Sequence, residues 1–339
     1  MTVTQENGVA DTPGRSFRLG STRVWLGLFA GFAGLVVLLA VEMTSIPAGR
    51  APAVRYTPPV RSGDGAVAVT PAVTFIVHPT VEGLQAAFDS AAYDLEETRR
   101  KRTPVPRLRL VMLPRDLPDM TDIAERKTVF LSLTLPLILE ANARIVVERR
   151  RLRHAIERRA AGHKLPQDLK DWLAGLAKRY KGSADRLDAL LQRVDTVPPS
   201  LVLAQAAAES GWGTSRFAVE GNAIFGQWTT AGGRGLVPLE RPDGATYKIR
   251  SFDRLIDSVN AYLLNLNTHR SYRGFRKMRA AMRQAGKPLD GAKLAGGLSR
   301  YSETGEEYVG LLRGIIRKNR LSPLDRATLG DTLIELARL

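Results

Sequence analysis

Apolar positions along this chain fall into three arrangements. In the first, Val24 to Val41 (VWLGLFAGFAGLVVLLAV) runs without a charge. Its length meets the ~18 residues of a membrane-spanning helix and exceeds the roughly 7–15 of a secretory signal core. Arg15, Arg18 and Arg23 precede it and Trp25 sits at its edge. The positive-inside rule then leaves the N-terminus in the cytoplasm and everything after Glu42 outside it. We read the segment as a signal anchor in preference to a cleaved signal peptide, because the small-residue site at Ala51-Pro52-Ala53 is interrupted by proline.

The second arrangement is helical. Periodicity predicts helices over Val81–Arg102 and over Asp122–Ala161, with Asp122 as N-cap. Pro136 lies inside the latter and predicts a kink or break, since proline removes one backbone hydrogen bond and crowds the preceding turn. Shorter helices follow at 167–180, 183–194, 253–267, 272–285, 293–298 and 306–319, with a weaker one at the C-terminus. Val73–Val77 reads as a strand or an extended lead-in, and Leu108–Leu113 is too short to assign.

The third arrangement is Pro198 to Trp228, PPSLVLAQAAAESGWGTSRFAVEGNAIFGQW. Pro198, Pro199 and Ser200 open a helix. Leu201–Ala208 is apolar and alanine-rich, so this helix is expected to be buried on most sides. Ser210-Gly211-Trp212-Gly213 stops it, glycine suiting the left-handed C-terminal position. Downstream, Leu236–Glu240 and Thr246–Ile249 flank Pro242-Asp243-Gly244, a hairpin signal.

Composition narrows the picture. With 339 residues, 44% hydrophobic and 25% charged, the chain can bury a sizeable core. Residues 42–72, rich in Pro, Ala, Gly and Val, read as a linker. The absence of cysteine excludes disulfides and thiolate metal sites. Four histidines, none paired on one helix, give no reason to expect a metal or other cofactor. The net charge of +16 points to nucleic acid, anionic lipid or an acidic wall polymer, or else to an arginine excess spread over solvated faces. The arginine-dense stretch Glu148–Arg159 is read as such a face, and the expected topology argues against nucleic acid.

The chemistry centres on Glu209. A carboxylate at the end of a buried helix either pairs with an arginine or is kept for work, and desolvation raises its pKa toward that of a general acid. Glu240 and Asp243 in the hairpin are candidate second carboxylates. Trp212, Phe225 and Trp228 are candidate platforms for sugar rings; each alone is better suited to a core, and it is the group of three beside Glu209 that shifts the balance.

These residues carry a resemblance. AQAAAESGWGTSRFAVEGNAIFGQW, with SVNAYLLNLNTHRSY at 258–272 and LSRYSETGEEYVGLLRGII at 298–316, resembles the glucosaminidase domain of glycoside hydrolase family 73, most closely its bacterial Bax-like branch. VPRLRLVMLP and DIAERKTVFLSLTLPLILEAN look like that branch's helical N-terminal region. The resemblance implies a mainly α, lysozyme-like α+β fold, a helical lobe with a small β-hairpin lobe, cleaving the β-1,4 bond between N-acetylglucosamine and N-acetylmuramic acid in peptidoglycan. It implies Glu209 as acid, Tyr301 in the catalytic centre and Glu240 as the nearest match to the second carboxylate. Trp212, Asn222, Phe225, Trp228 and His269 are then candidate substrate-binding residues. The expected organisation is a cytoplasmic tail (1–23), an anchor (24–41), the linker (42–72), a helical N-terminal region (73–197), a catalytic domain (198–320) and a C-terminal tail helix (321–339). The expected partners are peptidoglycan and, through the anchor, the cytoplasmic membrane. A lytic transglycosylase or muramidase on the same fold, or a non-catalytic wall-binding module, are the alternatives.

Overall fold

The computed structural model describes residues 80–229, 233–239, 241, 244–302 and 304–336. The expected anchor, the linker, the run Val73–Val77, and Glu240 and Asp243 lie outside them. In chain order the elements are α1 (Val81–Ser90), α2 (Leu95–Lys101), β1 (Val105–Leu110), α3 (Ile123–Ala160), α4 (Gln167–Arg179), α5 (Leu187–Leu191), α6 (Pro199–Ser210) and α7 (Arg216–Gly221). Then come β2 (Trp228–Thr229), β3 (Gly235–Leu236), β4 (Lys248–Arg250), α8 (Leu255–Thr268), α9 (Arg273–Gln284), α10 (Gly291–Leu294), α11 (Glu306–Lys318) and β5 (Leu329–Leu336).

The body is mainly helical with two small sheets. One pairs β1 with β5 in parallel; the other has the order β2-β4-β3, both pairs antiparallel. The expected hairpin is therefore present as β3 and β4, with Leu236 opposite Ile249. Its strands are shorter than the sequence pattern suggests, and β2 adds an unexpected third, Trp228 facing Ile249 from the other side.

Two of the expected helices need correction. The C-terminal segment is not a helix: after a 3-10 turn at Ser322–Arg326 it forms β5, running alongside β1. Its partner lies more than 200 residues away, so local pattern could not reveal the pairing. The helix expected over Val81–Arg102 is interrupted after Ser90, and Asp94 restarts it by accepting from Glu97 N at 2.6 Å.

The long helix α3 is the spine of the core, packing against α6 and α8. Asp122 caps it as expected, accepting from Ala124 N and Glu125 N. The expected break at Pro136 does not occur: α3 runs unbroken through 38 residues. Proline deprives the Ser132 carbonyl of its helical donor, and the buried Tyr93 hydroxyl supplies one instead, donating to Ser132 O at 3.1 Å. Among the described residues α3 is long and apolar enough to cross a membrane, but 78% of its apolar window is buried within the protein. One apolar cluster holds Phe130 and Leu137 of α3 together with Leu203, Val259 and Leu312 of the later helices, so the helical N-terminal region and the helices C-terminal to it share one core.

Part of the arginine excess is structural. Arg279, fully buried on α9, donates to the carbonyls of Gln192, Asp195 and Thr196 and to Asn267 Oδ1. Burial alone would raise the Asp195 carboxyl, but Arg279, a hydrogen bond from Arg283 and Arg149 hold it below its ordinary value. Arg149, from the arginine-dense stretch of α3, also donates to Val194 O at 2.7 Å, so that face clamps a loop as well as meeting solvent.

Candidate active site

The site is built on α6, and both ends of that helix are held from a distance. Its prolines supply no side-chain cap; Asp325 takes that role, accepting from Ser200 N at 2.8 Å, Ser200 Oγ at 2.9 Å and Gly291 N at 3.1 Å. Asn142 of α3 clasps Val197 just upstream, donating to its carbonyl at 2.8 Å and accepting from its N–H at 3.1 Å. At the exit, Gly211, Trp212 and Gly213 all have positive φ, at 58°, 61° and 82°. Gly213 cannot be replaced on a second count: a Cβ there would lie 2.9 Å from Leu117 and Phe130 side-chain carbons. Ser210 Oγ accepts from Gly213 N at 2.8 Å and closes the turn directly after Glu209.

Glu209 is half-buried, and its Oε1 accepts a 2.6 Å hydrogen bond from the Tyr308 hydroxyl of α11. That hydroxyl in turn accepts from Gln205 Nε2 at 3.0 Å, and the Tyr262 hydroxyl of α8 donates to Gln205 Oε1. Gln205 and Glu209 stand four residues apart, on one face of α6. Around them lie stacked rings: Tyr301 on Tyr308 (centroids 5.3 Å apart, planes within 4°) and Phe225 on Tyr262 (4.0 Å, 8°). Tyr272 sits 6.0 Å from Tyr301. Gly226, with φ of 56°, brings its backbone beside the carboxyl; a Cβ there would be 3.9 Å from Glu209 Oε2.

The electrostatics follow from this enclosure. Burial pushes the Glu209 carboxyl up to about 7, with the Tyr308 hydrogen bond pulling the other way. Burial, and then the Glu209 charge, raise Tyr272, Tyr301 and Tyr308, so all three phenols stay neutral. At neutral pH the tyrosine-lined surroundings therefore hold a carboxyl able to keep or give up a proton, among groups that do not ionise with it. Among the described residues no other carboxylate acts on Glu209, and no three His, Asp or Glu side chains converge as a metal-binding group.

The remaining candidates are divided. Tyr301 joins the site, its hydroxyl directed at Phe225 O at 3.4 Å. His269 reaches it through Tyr272, 5.8 Å between ring centroids, while its Nδ1 accepts from Ser271 N at 3.3 Å. Trp228 is exposed and stacks on Tyr247 at 4.2 Å, presenting an aromatic platform on the small sheet. Phe225, by contrast, is 1% exposed and sandwiched against Tyr262, so it has no free face for a sugar. Trp212 packs edge-on against Phe130 beneath Lys127, half-buried at the edge of the core. Asn222 is buried with φ of 53°, ends α7, and donates to Phe252 O at 3.1 Å, fastening the sheet region to the helices. Phe225 and Asn222 are better accounted for as structure than as substrate contacts. Glu240 lies outside the described residues.

Tyr308, Gln205, Tyr262 and Tyr272 are not among the residues that sequence reasoning singles out. The signal for them is Gln205, a lone amide in an otherwise apolar helix, which must find buried partners.

Comparisons with known proteins bear on the whole arrangement. The family model described as mannosyl-glycoprotein endo-beta-N-acetylglucosaminidase (Glucosaminidase) matches residues 185–321. The chain is similar to Protein bax of Escherichia coli (strain K12), 35% identical over 216 residues that cover 60% of this chain and 74% of that protein. Among solved structures, it matches the catalytic domain of the autolysin Auto from Listeria monocytogenes at 20% identity and a TM-score of 0.30, over 51% of this chain and 96% of that one.

Proposed function

Because this chain belongs to the glucosaminidase family, in its Bax-like branch, we propose that it is a peptidoglycan hydrolase cleaving the β-1,4 bond between N-acetylglucosamine and N-acetylmuramic acid. The observation that carries this reading is the Glu209 carboxyl, raised to about 7 by burial and held by Tyr308 at the end of α6. Glu209 is the general acid. Its proton passes to the glycosidic oxygen as the C–O bond breaks, so the departing sugar leaves as an alcohol. Tyr308 fixes the carboxyl from one side and Gln205 fixes Tyr308, which leaves the acid little rotational freedom. The Trp228–Tyr247 stack offers the apolar face on which a sugar ring rests. The helical body and the small sheet act as the two lobes of a lysozyme-like cleft.

Glu240, on the connection between β3 and β4, is assigned as the second carboxylate that activates water; this rests on the family resemblance. The acidic wall glycan is also a partner suited to the +16 charge of the chain. An N-terminal anchor at 24–41 would hold the enzyme on the outer face of the cytoplasmic membrane, next to that substrate.

The test is zymography on purified wall with wild type and Glu209→Gln, followed by mass spectrometry of the fragments. The reading requires wild type to release products with reducing-end N-acetylglucosamine and the variant to release none. Anhydro-muramic ends would assign the chain to the transglycosylases instead.

A further inference from the structure

A second feature borders the site and has no part in the chemistry above. A pocket of about 580 Å³ is lined by Arg270, Ser271, Arg273, Gly274, Lys277 and Arg300. Its walls continue directly from the tyrosines around Glu209: Ser271 and Arg273 flank Tyr272, and Arg300 precedes Tyr301. Adjacent Cα atoms are only ~3.8 Å apart, so the backbone that carries these tyrosines also carries the pocket's lining.

Among the described residues this pocket's charge has no counter-charge. Arg270, Arg273, Lys277 and Arg300 are all exposed, and among the described residues none of them pairs with a carboxylate. A second basic pocket, lined by Arg149, Arg150, Arg153 and Arg283, contains Asp195 and so neutralises part of itself. Among its described lining residues the first has no such internal counter-charge. Its cations act on their neighbours: Arg270 helps hold the His269 imidazole below its ordinary value, where desolvation is the larger cause. Gly274 keeps the floor open, with nothing within 4 Å of where a Cβ would stand. Four like charges around an open space beside a glycan cleft suit an anion presented by the glycan itself. In peptidoglycan such anions are carried on the peptide branches of the muramic sugars, which end in carboxylates.

We propose that this pocket is a subsite for the carboxylates of those peptide branches, so that the chain selects peptide-bearing over stripped glycan strands. The assignment rests on the peptidoglycan reading, and its test separates the two. Using the full chain, KM is compared for glycan strands bearing peptides and for the same strands stripped by an amidase and then amidated at the lactyl carboxylates that this cleavage exposes. Charge-assisted contacts predict a KM about tenfold lower for the peptide-bearing strands. Gly274→Glu places a counter-charge in the pocket at a helical position with open space, and should bring the ratio close to one. Arg273→Lys, which keeps the charge, should retain most of the preference, and added salt should narrow it.

A wild-type ratio near one, or a ratio unmoved by Gly274→Glu, overturns the pocket while leaving the hydrolase reading intact. Equilibrium binding of the same strands by Glu209→Gln reads the pocket without turnover. Tighter binding of peptide-bearing strands, lost on adding Gly274→Glu, supports the pocket even if wild type cleaves nothing. If Gly274→Glu instead abolishes a preference for phosphatidylglycerol over phosphatidylcholine vesicles and leaves the strand preference unchanged, the pocket serves a lipid surface and the proposal fails.

Discussion

The hydroxyl of Tyr308 donates to Glu209 Oε1 at 2.6 Å, and this contact opposes the burial that surrounds it. A phenol donating to a carboxylate favours the charged form, whereas desolvation favours the neutral one. Desolvation is the larger effect, and the balance falls at about 7. The Gln205 amide, anchored by Tyr262, keeps the Tyr308 hydroxyl turned toward the acid.

Replacing Tyr308 by Phe removes the opposing hydrogen bond, so the Glu209 carboxyl should rise further. The falling alkaline limb of the pH–rate profile, which tracks loss of the acid's proton, should then move to higher pH. Gln205 Nε2 would also lose its buried acceptor, at a cost of about 1–3 kcal/mol in stability. pH–rate profiles and denaturant unfolding of both proteins check this; a limb displaced to lower pH would contradict the assignment.

The same carboxyl should make stability depend on pH. Its folded value of about 7 exceeds the ordinary 4.5, so the folded state binds the proton more tightly than the unfolded chain does. Stability is unaffected below the unfolded value, declines as pH rises between the two, and carries the full penalty above about 7. Glu209→Gln, which cannot ionise, should therefore gain roughly 1–3 kcal/mol over wild type at pH 8 and little at pH 4. Thermal unfolding at the two pH values measures the difference.

Trp228 and Phe225 should part company when truncated. Trp228→Ala removes an exposed ring, so unfolding should be little changed while KM on wall glycan rises several-fold. Phe225→Ala empties a buried, stacked position and should destabilise the chain by about 3–5 kcal/mol. Equal thermal effects would show that the Trp228–Tyr247 stack is structural.

Tyr93 supports the proline-bearing turn of α3. Tyr93→Phe strands the Ser132 carbonyl in the core and should lower stability by about 1–3 kcal/mol, read by denaturant unfolding. Its effect should be confined to stability, because neither Tyr93 nor Ser132 belongs to the hydrogen-bond network around Glu209.

Much of the site is legible in the chain because its determinants are local. The Pro198-Pro199 entry, the apolar turns of α6 and the glycine-bracketed exit after Glu209 are each fixed by neighbouring residues. Features set by distant partners are not legible in this way. Asp325 caps the first turn of a helix at Ser200, 125 residues earlier. Tyr308 joins Glu209 from 99 residues away. β5 finds β1 across most of the chain, and Pro136 stays helical because a tyrosine 39 residues from Ser132 replaces the missing donor. The aromatics mislead for a related reason: Trp212, Phe225 and Trp228 are alike in type, and only packing distinguishes a core ring from an exposed platform.

The central claim, that Glu209 delivers a proton to the departing sugar, is tested most directly by changing the leaving group. Wild type and Glu209→Gln are compared on the natural glycan and on the same glycan bearing a 4-nitrophenolate, which departs without protonation. The account predicts a loss of about 10²–10⁴-fold on the glycan and a much smaller one on the aryl substrate. Equal losses on both, or none on either, would contradict it.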